Sequence, residues 1–368
     1  MKILITGAHF TPAIAVINEL KKMEPQVRLT YVGRKTTMEG DKTQSVESKL
    51  LPTLGVKFIP IIAGRLQRSF SIYTITSLLK IPIGFIQAIY ILLSEKPDVI
   101  LSFGGYVAVP LVVIGWLSSI PIIIHEQTLV SGLAHRISAL FADKIAVSFE
   151  GRTKDEKTIF TGNPLREEIL NPVKNLTSDF SKIFNLSKKI KLPVVLFMGG
   201  NQGSHILNQI VEQSLDKLLK TSCVIHITGD NKYNDFERLG EFGERYLVKK
   251  WIGEEFGKVV SKVDLVVCRS GINTLIELAY FGKNALVIPI PYLYNDEQNK
   301  NALFFQDLGF VKVLPQSKLS SKSLLENIKD MLNNLGDLKK KAYLAKKLII
   351  KDAAQRVALE TLLLKDLR

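Results

Sequence analysis

The chain of 368 residues is too long for one small domain, and at about 150 residues per domain it predicts two. Its 46% hydrophobic content, 24 glycines and 14 prolines exclude disordered and collagen-like proteins, and its two cysteines exclude a disulfide scaffold or a zinc cluster. The net charge of +14 favours a polyanionic ligand or surface, and nucleic acid, anionic lipid and phosphate all remain open.

Short β-branched runs alternate with helical patterns along the whole chain. Continuous apolar strands with crossover helices predict parallel sheets that are covered on both faces. The first half predicts strands at residues 2–6, 28–32, 99–103, 122–124 and 144–147, and a helix at 12–20. The second half predicts strands at 194–198, 223–228, 246–249, 265–268 and 285–288, and helices at 204–219, 274–280 and 299–308.

This alternation predicts an α/β protein with two doubly wound, Rossmann-like domains that face a cleft. The break falls between Gly162 and Pro193, where Asn-Pro pairs, serines and lysines cluster. We place the N-terminal domain at 1–163 and the C-terminal domain at 164–340. A basic helical tail, 341–368, is expected to pack back on the N-terminal domain.

Two apolar stretches, 72–93 and 101–124, are long enough to be tested as membrane spans. Glycines and prolines divide the second into strand, helix and strand, and Lys80, Pro82 and Gly84 interrupt the first. We therefore expect neither to span. Residues 48–94 contain no acidic side chain but five basic ones, which suits an anionic membrane surface; a buried helix with solvated charges is the alternative.

Glycines follow predicted strands at three places, each just before a predicted helix: Gly7, Gly104 with Gly105, and Gly199 with Gly200. Glycine lets backbone N–H groups approach an anion, and a helix N-terminus adds partial positive charge. The three loops contain neither the Gly-x-Gly-x-x-Gly fingerprint nor a P-loop. Together they modestly favour phosphate ligands.

Polar side chains also stand at the predicted strand ends. His9 lies in the first glycine loop, and the polar run 125–128 ends a fully apolar strand, which core packing does not explain. Glu277 is either an exposed helix acid or a carboxylate that binds a ribose diol. Gln298 and Asn301 are spaced to share one helix face.

Taken in order, these motifs resemble the MurG family of cell-wall N-acetylglucosaminyltransferases, which are GT-B enzymes of glycosyltransferase family 28. The resemblance implies a GT-B fold and an inverting transfer of N-acetylglucosamine from UDP-N-acetylglucosamine to the 4-hydroxyl of the N-acetylmuramyl sugar of lipid I, forming lipid II. The matching segments are 6–13, 103–110, 125–133, 162–166, 199–208, 268–278 and 298–302.

The resemblance also implies roles for individual residues, with the donor held mainly by the second domain. His9 is the candidate base and Glu126 the second choice. No Asp-x-Asp pair occurs, so neither a metal nor another cofactor is implied. In the donor site, the resemblance implies that Glu277 binds the ribose hydroxyls and that the backbone of Ile252 contacts uracil. Arg166, Asn201 and Ser270 are expected near the diphosphate. Gln298 and Asn301 are expected to bind the sugar hydroxyls. The acceptor and phosphate loops contribute Gly7, Gly104, Gly105, Tyr106 and Thr128.

Because the polyprenyl chain of lipid I stays in the bilayer, the resemblance implies a peripheral protein on the cytoplasmic membrane face, with access to cell-wall synthesis complexes and no role for nucleic acid. Three alternatives stay open: a related enzyme with another lipid acceptor such as diacylglycerol, a UDP-N-acetylglucosamine epimerase, and a nucleic-acid-binding protein.

The sequence departs from the family pattern in three regions. Ala8 stands where the family has a second glycine, and Thr128 stands where it has asparagine. In the third glycine loop, Asn201, Ser204 and His205 replace serine, alanine and arginine.

Overall fold

The computed structural model describes residues 1–36, 44–64, 72–151, 155–200, 203–240, 242–347 and 349–367. The chain forms two compact units, Met1–Arg166 with Ile350–Arg368, and Glu167–Ile349. The chain leaves the first unit after Arg166, whereas the sequence placed the boundary after residue 163. The predicted tail is divided, because residues 341–349 belong to the second unit and the rest to the first.

The first unit contains a seven-stranded parallel sheet. Its strand order is β3-β2-β1-β4-β5-β6-β7. The strands are β1 Lys2–Gly7, β2 Arg28–Gly33, β3 Lys57–Pro60, β4 Val99–Phe103, β5 Ile122–Glu126, β6 Lys144–Val147 and β7 Thr158–Phe160. The helices before the chain leaves this unit are α1 Phe10–Met23, α2 Val46–Thr53, α3 Ile72–Glu95, α4 Ala108–Leu117 and α5 Leu133–Phe141.

The second unit contains a six-stranded parallel sheet in the order β10-β9-β8-β11-β12-β13. Its strands are β8 Val194–Met198, β9 Cys223–Ile227, β10 Tyr246–Lys249, β11 Leu265–Cys268, β12 Ala285–Val287 and β13 Val311–Val313. Its helices are α6 Glu167–Leu170, α7 Ser178–Ile190, α8 His205–Thr221, α9 Asp235–Leu239, α10 Phe256–Lys262, α11 Ile272–Phe281, α12 Glu297–Asp307, α13 Ser321–Asn333 and α14 Leu335–Lys346.

The last helix, α15 (Ala353–Leu363), returns to the first unit and packs on α1. Both faces of the first sheet are covered. Alternate residues of each strand point to opposite faces, so each strand contributes to both apolar clusters. Ile3 and Ile5 join the apolar cluster under α1 and α15, whereas Leu4 joins the cluster under α3 and α4. This explains why the strands are continuously apolar.

All ten strands predicted from the sequence are present, and each predicted helix lies within or overlaps a helix of the structure. The sequence missed β3, β7 and β13, which are strands of three or four residues at sheet edges. Edge strands face one neighbour and lack the continuous apolar run by which buried strands are recognised.

The predicted interruption at Lys80, Pro82 and Gly84 is wrong, because α3 continues through all three residues. A β-carbon on Gly84 would lie 2.8 Å from the carbonyl oxygen of Ile62, so this glycine allows close packing rather than ending the helix. Within the described residues, no helix combines the length and the apolar character needed to cross a bilayer.

Candidate functional site

Each sheet has one point at which the strand order changes direction, and there the loops after two neighbouring strands diverge. In the first unit this point lies between β1 and β4, and in the second between β8 and β11. Ligands of doubly wound sheets bind at such points, beyond the carboxyl ends of the strands. The loops that the sequence singled out follow these four strands and β5.

The glycine loops after β1 and β4 are joined in the first unit. The backbone N–H of Ala8 donates to the carbonyl oxygen of Gly104 at 3.0 Å. Gly104 and Gly105 have φ of 69° and 81°, conformations that favour glycine. A β-carbon on Gly105 would lie 2.6 Å from that of Ala8, so the methyl group of Ala8 packs where Gly105 leaves space.

His9 stands at the N-cap position of α1, beside the second glycine loop. Its Cδ2 lies 3.9 Å from the position of a β-carbon added to Gly104. Burial lowers the pKa of His9 below 6.5; the charge of Glu126 opposes this shift, and His135 and Arg34 add to it. The imidazole is therefore neutral near pH 7 and able to accept a proton.

Glu126 ends β5, and its carboxylate is held from two sides. Oε1 accepts hydrogen bonds from the backbone N–H of Thr128 at 2.9 Å and from its hydroxyl at 2.7 Å. Oε2 lies 3.3 Å from Nδ1 of His135, on α5. Burial raises the pKa of Glu126, but His135 and hydrogen bonds from Thr128 and Ser131 outweigh it, so the net shift is downward. The carboxylate is ionised near neutral pH.

Three buried polar atoms at the end of β5 have no hydrogen-bond partner among the described residues. They are Nδ1 of His125, Oε2 of Glu126 and Oε1 of Gln127. His125 places its Nε2 3.2 Å from the carbonyl oxygen of Gly162, and burial lowers its pKa to about 4. Buried polar groups are normally satisfied, so three such atoms together indicate a place where a ligand or water completes the bonding.

Sequence reasoning missed two residues of this site. The guanidinium of Arg34, just after β2, lies 5.9 Å from the ring centroid of Tyr106, and its charge helps to lower the pKa of His9. His135 contacts Glu126 as described above. Neither stands in a motif, and only the pairing of β2 with β1 and the return of α5 to β5 bring them to the site.

In the second unit, the glycine loop after β8 is held by close packing and by one buried arginine. Gly203 has φ of 72°, and a β-carbon there would lie 1.7 Å from the carbonyl oxygen of Thr228. Arg269, just after β11, donates from Nη2 and Nε to the hydroxyl of Ser204 at 2.7 and 3.2 Å, and from Nη1 to the carbonyl oxygen of Ile288 at 3.0 Å. Arg269 therefore joins the ends of three strands.

Three of the predicted donor residues form one connected group. The hydroxyl of Ser270 donates to the carbonyl oxygen of Gln298 at 2.8 Å. The side-chain amide of Asn301 donates to the carbonyl oxygen of Ser270 at 3.2 Å. The side-chain oxygen of Gln298 accepts from the backbone N–H of Ile290 at 3.0 Å. Asn301 is fully buried, and its Oδ1 has no hydrogen-bond partner among the described residues.

The other predicted donor residues are placed as follows. Glu277 lies on α11 and is buried, so it is not an exposed helix acid. Ile252 is half-buried in the loop after β10, and Arg166 is half-buried at the last position of the first unit before α6. Asn201 lies outside the described residues.

His205, which replaces the arginine usual in the family, begins α8 and joins a polar network. Its Nδ1 lies 2.8 Å from the buried carboxylate of Asp235, and its ring stacks on Tyr233 at 3.8 Å between centroids. Asp235 also accepts hydrogen bonds from Asn208 at 2.8 Å and Asn231 at 3.0 Å. The network ties the start of α8 to α9.

Comparison with protein families gives two matches that cover most of the chain. The glycosyltransferase family 28 N-terminal domain matches residues 6–147, and the glycosyltransferase family 28 C-terminal domain matches residues 194–357. A Bacillus cytotoxicus protein named UDP-N-acetylglucosamine--N-acetylmuramyl-(pentapeptide) pyrophosphoryl-undecaprenol N-acetylglucosamine transferase is 33% identical over 97% of each chain. A Clostridium perfringens protein of the same name is 34% identical over 90% of each chain.

Solved structures show the same fold at lower identity. MurG of Acinetobacter baumannii superposes with a TM-score of 0.70 at 22% identity, covering 98% of this chain and 99% of that one. A UDP-GlcNAc 2-epimerase from Neisseria meningitidis bound to UDP-GlcNAc gives 0.61 at 16% identity, covering 99% of this chain and 100% of that one. The predicted architecture of two Rossmann-like domains is confirmed. The chain belongs to glycosyltransferase family 28, in the group whose members carry the MurG transferase name.

Proposed function

We propose that this protein transfers N-acetylglucosamine from UDP-N-acetylglucosamine to the 4-hydroxyl of the N-acetylmuramyl sugar of lipid I, and so forms lipid II with inversion at the anomeric carbon. The observation that carries the proposal is the 33% identity over 97% of both chains to a relative named for this reaction. The two sets of strand-end residues described above supply groups that this chemistry needs.

The second unit binds the donor. Glu277 accepts hydrogen bonds from the ribose hydroxyls, because an ionised carboxylate can take both at once. The backbone of Ile252 contacts uracil, and Ser270, Gln298 and Asn301 hold the diphosphate and sugar. The N-termini of α8 and α11, which have no acidic residue in their first turns, place positive partial charge beside the diphosphate.

The first unit binds the acceptor and removes its proton. As the acceptor oxygen forms a bond to the anomeric carbon, the bond from that carbon to the UDP oxygen breaks, and the hydroxyl proton passes to the imidazole of His9. The ionised carboxylate of Glu126 stabilises the resulting imidazolium. Loop amides and Arg166 stabilise the charge on the departing diphosphate, with no metal in the proposed step.

The decisive experiment measures labelled N-acetylglucosamine entering lipid II from its UDP donor, with lipid I as acceptor and EDTA present throughout. Wild-type protein and the control Glu326→Ala, an exposed acid on α13, should form product. Glu277→Ala should lose most activity, and Glu277→Gln should keep more of it.

Several results would overturn the proposal. Folded wild-type protein that binds UDP but makes no lipid II contradicts the acceptor assignment, and glycosylated diacylglycerol as product identifies the alternative acceptor. Turnover of the nucleotide sugar without acceptor indicates an epimerase. Activity that EDTA abolishes contradicts the metal-free step.

We also propose that the protein docks on the anionic cytoplasmic face of the membrane through α3. Five apolar side chains form a stripe along this helix at spacings of four, three, four and three residues, and they are 44–74% exposed. A helix face that carries this many apolar side chains is normally buried, so its exposure marks an interaction surface. The stripe consists of Leu79, Ile83, Ile86, Tyr90 and Leu93.

Neighbouring residues enlarge this surface, and the sequence around it, residues 48–94, contains basic but no acidic side chains. α3 packs on α4, which ends with exposed Trp116 and Leu117, and α4 packs on α5, which carries exposed Leu140. Lys57 is exposed on β3 but forms an ion pair with Glu95 of α3 at 2.7 Å, and Arg65 and Arg68 lie outside the described residues. Apolar insertion beside basic side chains is the pattern that anionic lipid surfaces attract.

Vesicle co-sedimentation tests this surface. Ile86→Ser with Leu93→Ser should weaken binding to anionic phospholipid vesicles by at least about tenfold, since each buried apolar side chain contributes about 1–2 kcal/mol. The control Leu303→Ser with Leu359→Ser removes equally apolar, exposed residues from other helices and should bind as wild type does. Equal losses in both pairs would refute docking through α3.

A further inference from the structure

We propose that His135 is a positioning residue that fixes the Glu126 carboxylate in the orientation in which it supports His9 during proton transfer. The inference deepens the proposed function and rests on it. His135 stands in no motif singled out by the sequence, and its role follows from where α5 returns to the end of β5.

The first support is the geometry of the carboxylate. Thr128 holds Oε1 through two donors, the backbone N–H at 2.9 Å and the hydroxyl at 2.7 Å. Oε2 faces Nδ1 of His135 at 3.3 Å. A carboxylate held through one oxygen can still turn about its last side-chain bond, whereas contacts to both oxygens fix the plane of the group.

The second support is burial. The side chains of His135 and Glu126 are only 12% and 7% exposed, so water cannot readily replace either partner. A buried carboxylate that loses a partner retains an uncompensated charge, which is strongly unfavourable. Oε2 has no hydrogen-bond partner within the described residues, and Nδ1 of His135 faces it at 3.3 Å, while Ser131 also contributes a hydrogen bond to the carboxylate.

The third support is the set of charges around His9. Glu126 raises the pKa of His9 against the effect of burial, while His135 and Arg34 lower it. His125, on β5, also faces this group. Burial lowers the pKa of His135 itself despite the opposing effect of Glu126. A neutral His135 can donate its Nδ1 proton to Glu126 without adding a full positive charge that would oppose protonation of His9.

Two substitutions separate positioning from packing, because they remove opposite properties of the side chain. His135→Leu keeps the bulk and removes the donor. His135→Asn removes the ring and places an amide N–H₂ where Nδ1 stands. Lys144→Ala, which breaks a partly buried ion pair with Glu360 elsewhere in the first unit, is the matched control. The assay is lipid II formation with separate kcat and KM values.

Positioning predicts that His135→Leu lowers kcat at least tenfold with KM for UDP-N-acetylglucosamine changed less than about twofold, and that His135→Asn stays within about threefold of wild type. Packing alone predicts the reverse order, which would overturn the inference. If His135→Leu does not fold, His135→Asn decides: near wild-type kcat supports positioning, and a tenfold loss contradicts it. Wild-type protein without activity refutes the proposed function instead.

Discussion

Burial sets the protonation states of the three histidines that the first unit gathers at the end of β5. The pKa values of His9, His125 and His135 are all lowered, with burial as the largest cause in each case. Glu126 is the anionic partner among them, and its own pKa is lowered by His135 and Thr128. The site therefore holds neutral imidazoles beside an ionised carboxylate, which is the arrangement that accepts a proton near neutral pH.

The pH dependence of the reaction tests this arrangement. His9 must be neutral to act as the base, and its pKa lies below 6.5, so activity should stay level as pH falls to that value and decline only below it. The measurement is kcat/KM for lipid I from about pH 5 to 8. His9→Gln should lose about a hundredfold or more of the activity. A decline that begins above pH 6.5 would contradict a buried, neutral base.

Glycine is required at some loop positions and dispensable at others. Gly203→Ala forces a β-carbon to within 1.7 Å of a backbone carbonyl at a φ of 72°, so the loop after β8 must move. We expect the free energy of unfolding to fall by about 2 kcal/mol or more, with weaker UDP binding. Gly253→Ala adds a methyl group where no atom lies within 4 Å and should change stability little. Thermal unfolding measures the stability of the two variants, and UDP titration measures their affinity for UDP. Equal stabilities would refute the requirement for glycine at position 203.

At the scale of elements, the sequence predicted what local pattern determines. Val99–Phe103 is apolar throughout and buried throughout, so β4 was predicted with its bounds. The edge strands β3, β7 and β13 were missed because their residues are partly exposed. The sequence predicts a break at Pro82, but α3, which packs against α4, continues through it.

The same distinction applies to the site. His9 and Glu126 were found because polar side chains after apolar strands stand out in a sequence. Arg34 and His135 were not found, since their place depends on which strands pair and where α5 returns. Neighbours that a fold brings together from distant segments leave no local pattern, so their roles follow only from the topology.

The buried network of the second unit predicts a measurable stability effect. Asn208 of α8 is fully buried, donates to the carbonyl oxygen of Thr228 at 3.0 Å and to Asp235 at 2.8 Å, and lies 3.0 Å from Nε2 of His226. Asn208→Ala leaves these groups without partners and should cost roughly 2–4 kcal/mol. Asn334→Ala removes an exposed amide and should cost little.

Urea unfolding followed by tryptophan fluorescence provides the measurement. The two tryptophans lie in different units, Trp116 in the first and Trp251 in the second. In a Trp116→Phe background, the emission reports the second unit alone. Equal midpoints for Asn208→Ala and Asn334→Ala would show that the network does not stabilise this unit.

At the scale of the whole chain, the first unit is completed by the last segment. Val357, Ala358 and Leu364 are fully buried in the cluster that also contains Val16 and Leu20 of α1. These residues follow the entire second unit in sequence, so the cover that α1 begins on one face of the first sheet is complete only when the chain has returned. The second unit is a continuous segment and has its own apolar cluster.

This asymmetry predicts that a change in α15 destabilises one unit and spares the other. Val357→Asp places a carboxylate in the core of the first unit and should lower its stability by about 3 kcal/mol or more, because a buried unpaired charge is costly. Leu363→Asp, on the exposed side of the same helix, should have little effect. Urea unfolding with Trp116 as the sole tryptophan reports the first unit, and with Trp251 as the sole tryptophan it reports the second. An equal shift of both transitions by Val357→Asp would mean that the units unfold together, and no shift of either would mean that α15 adds nothing to the core.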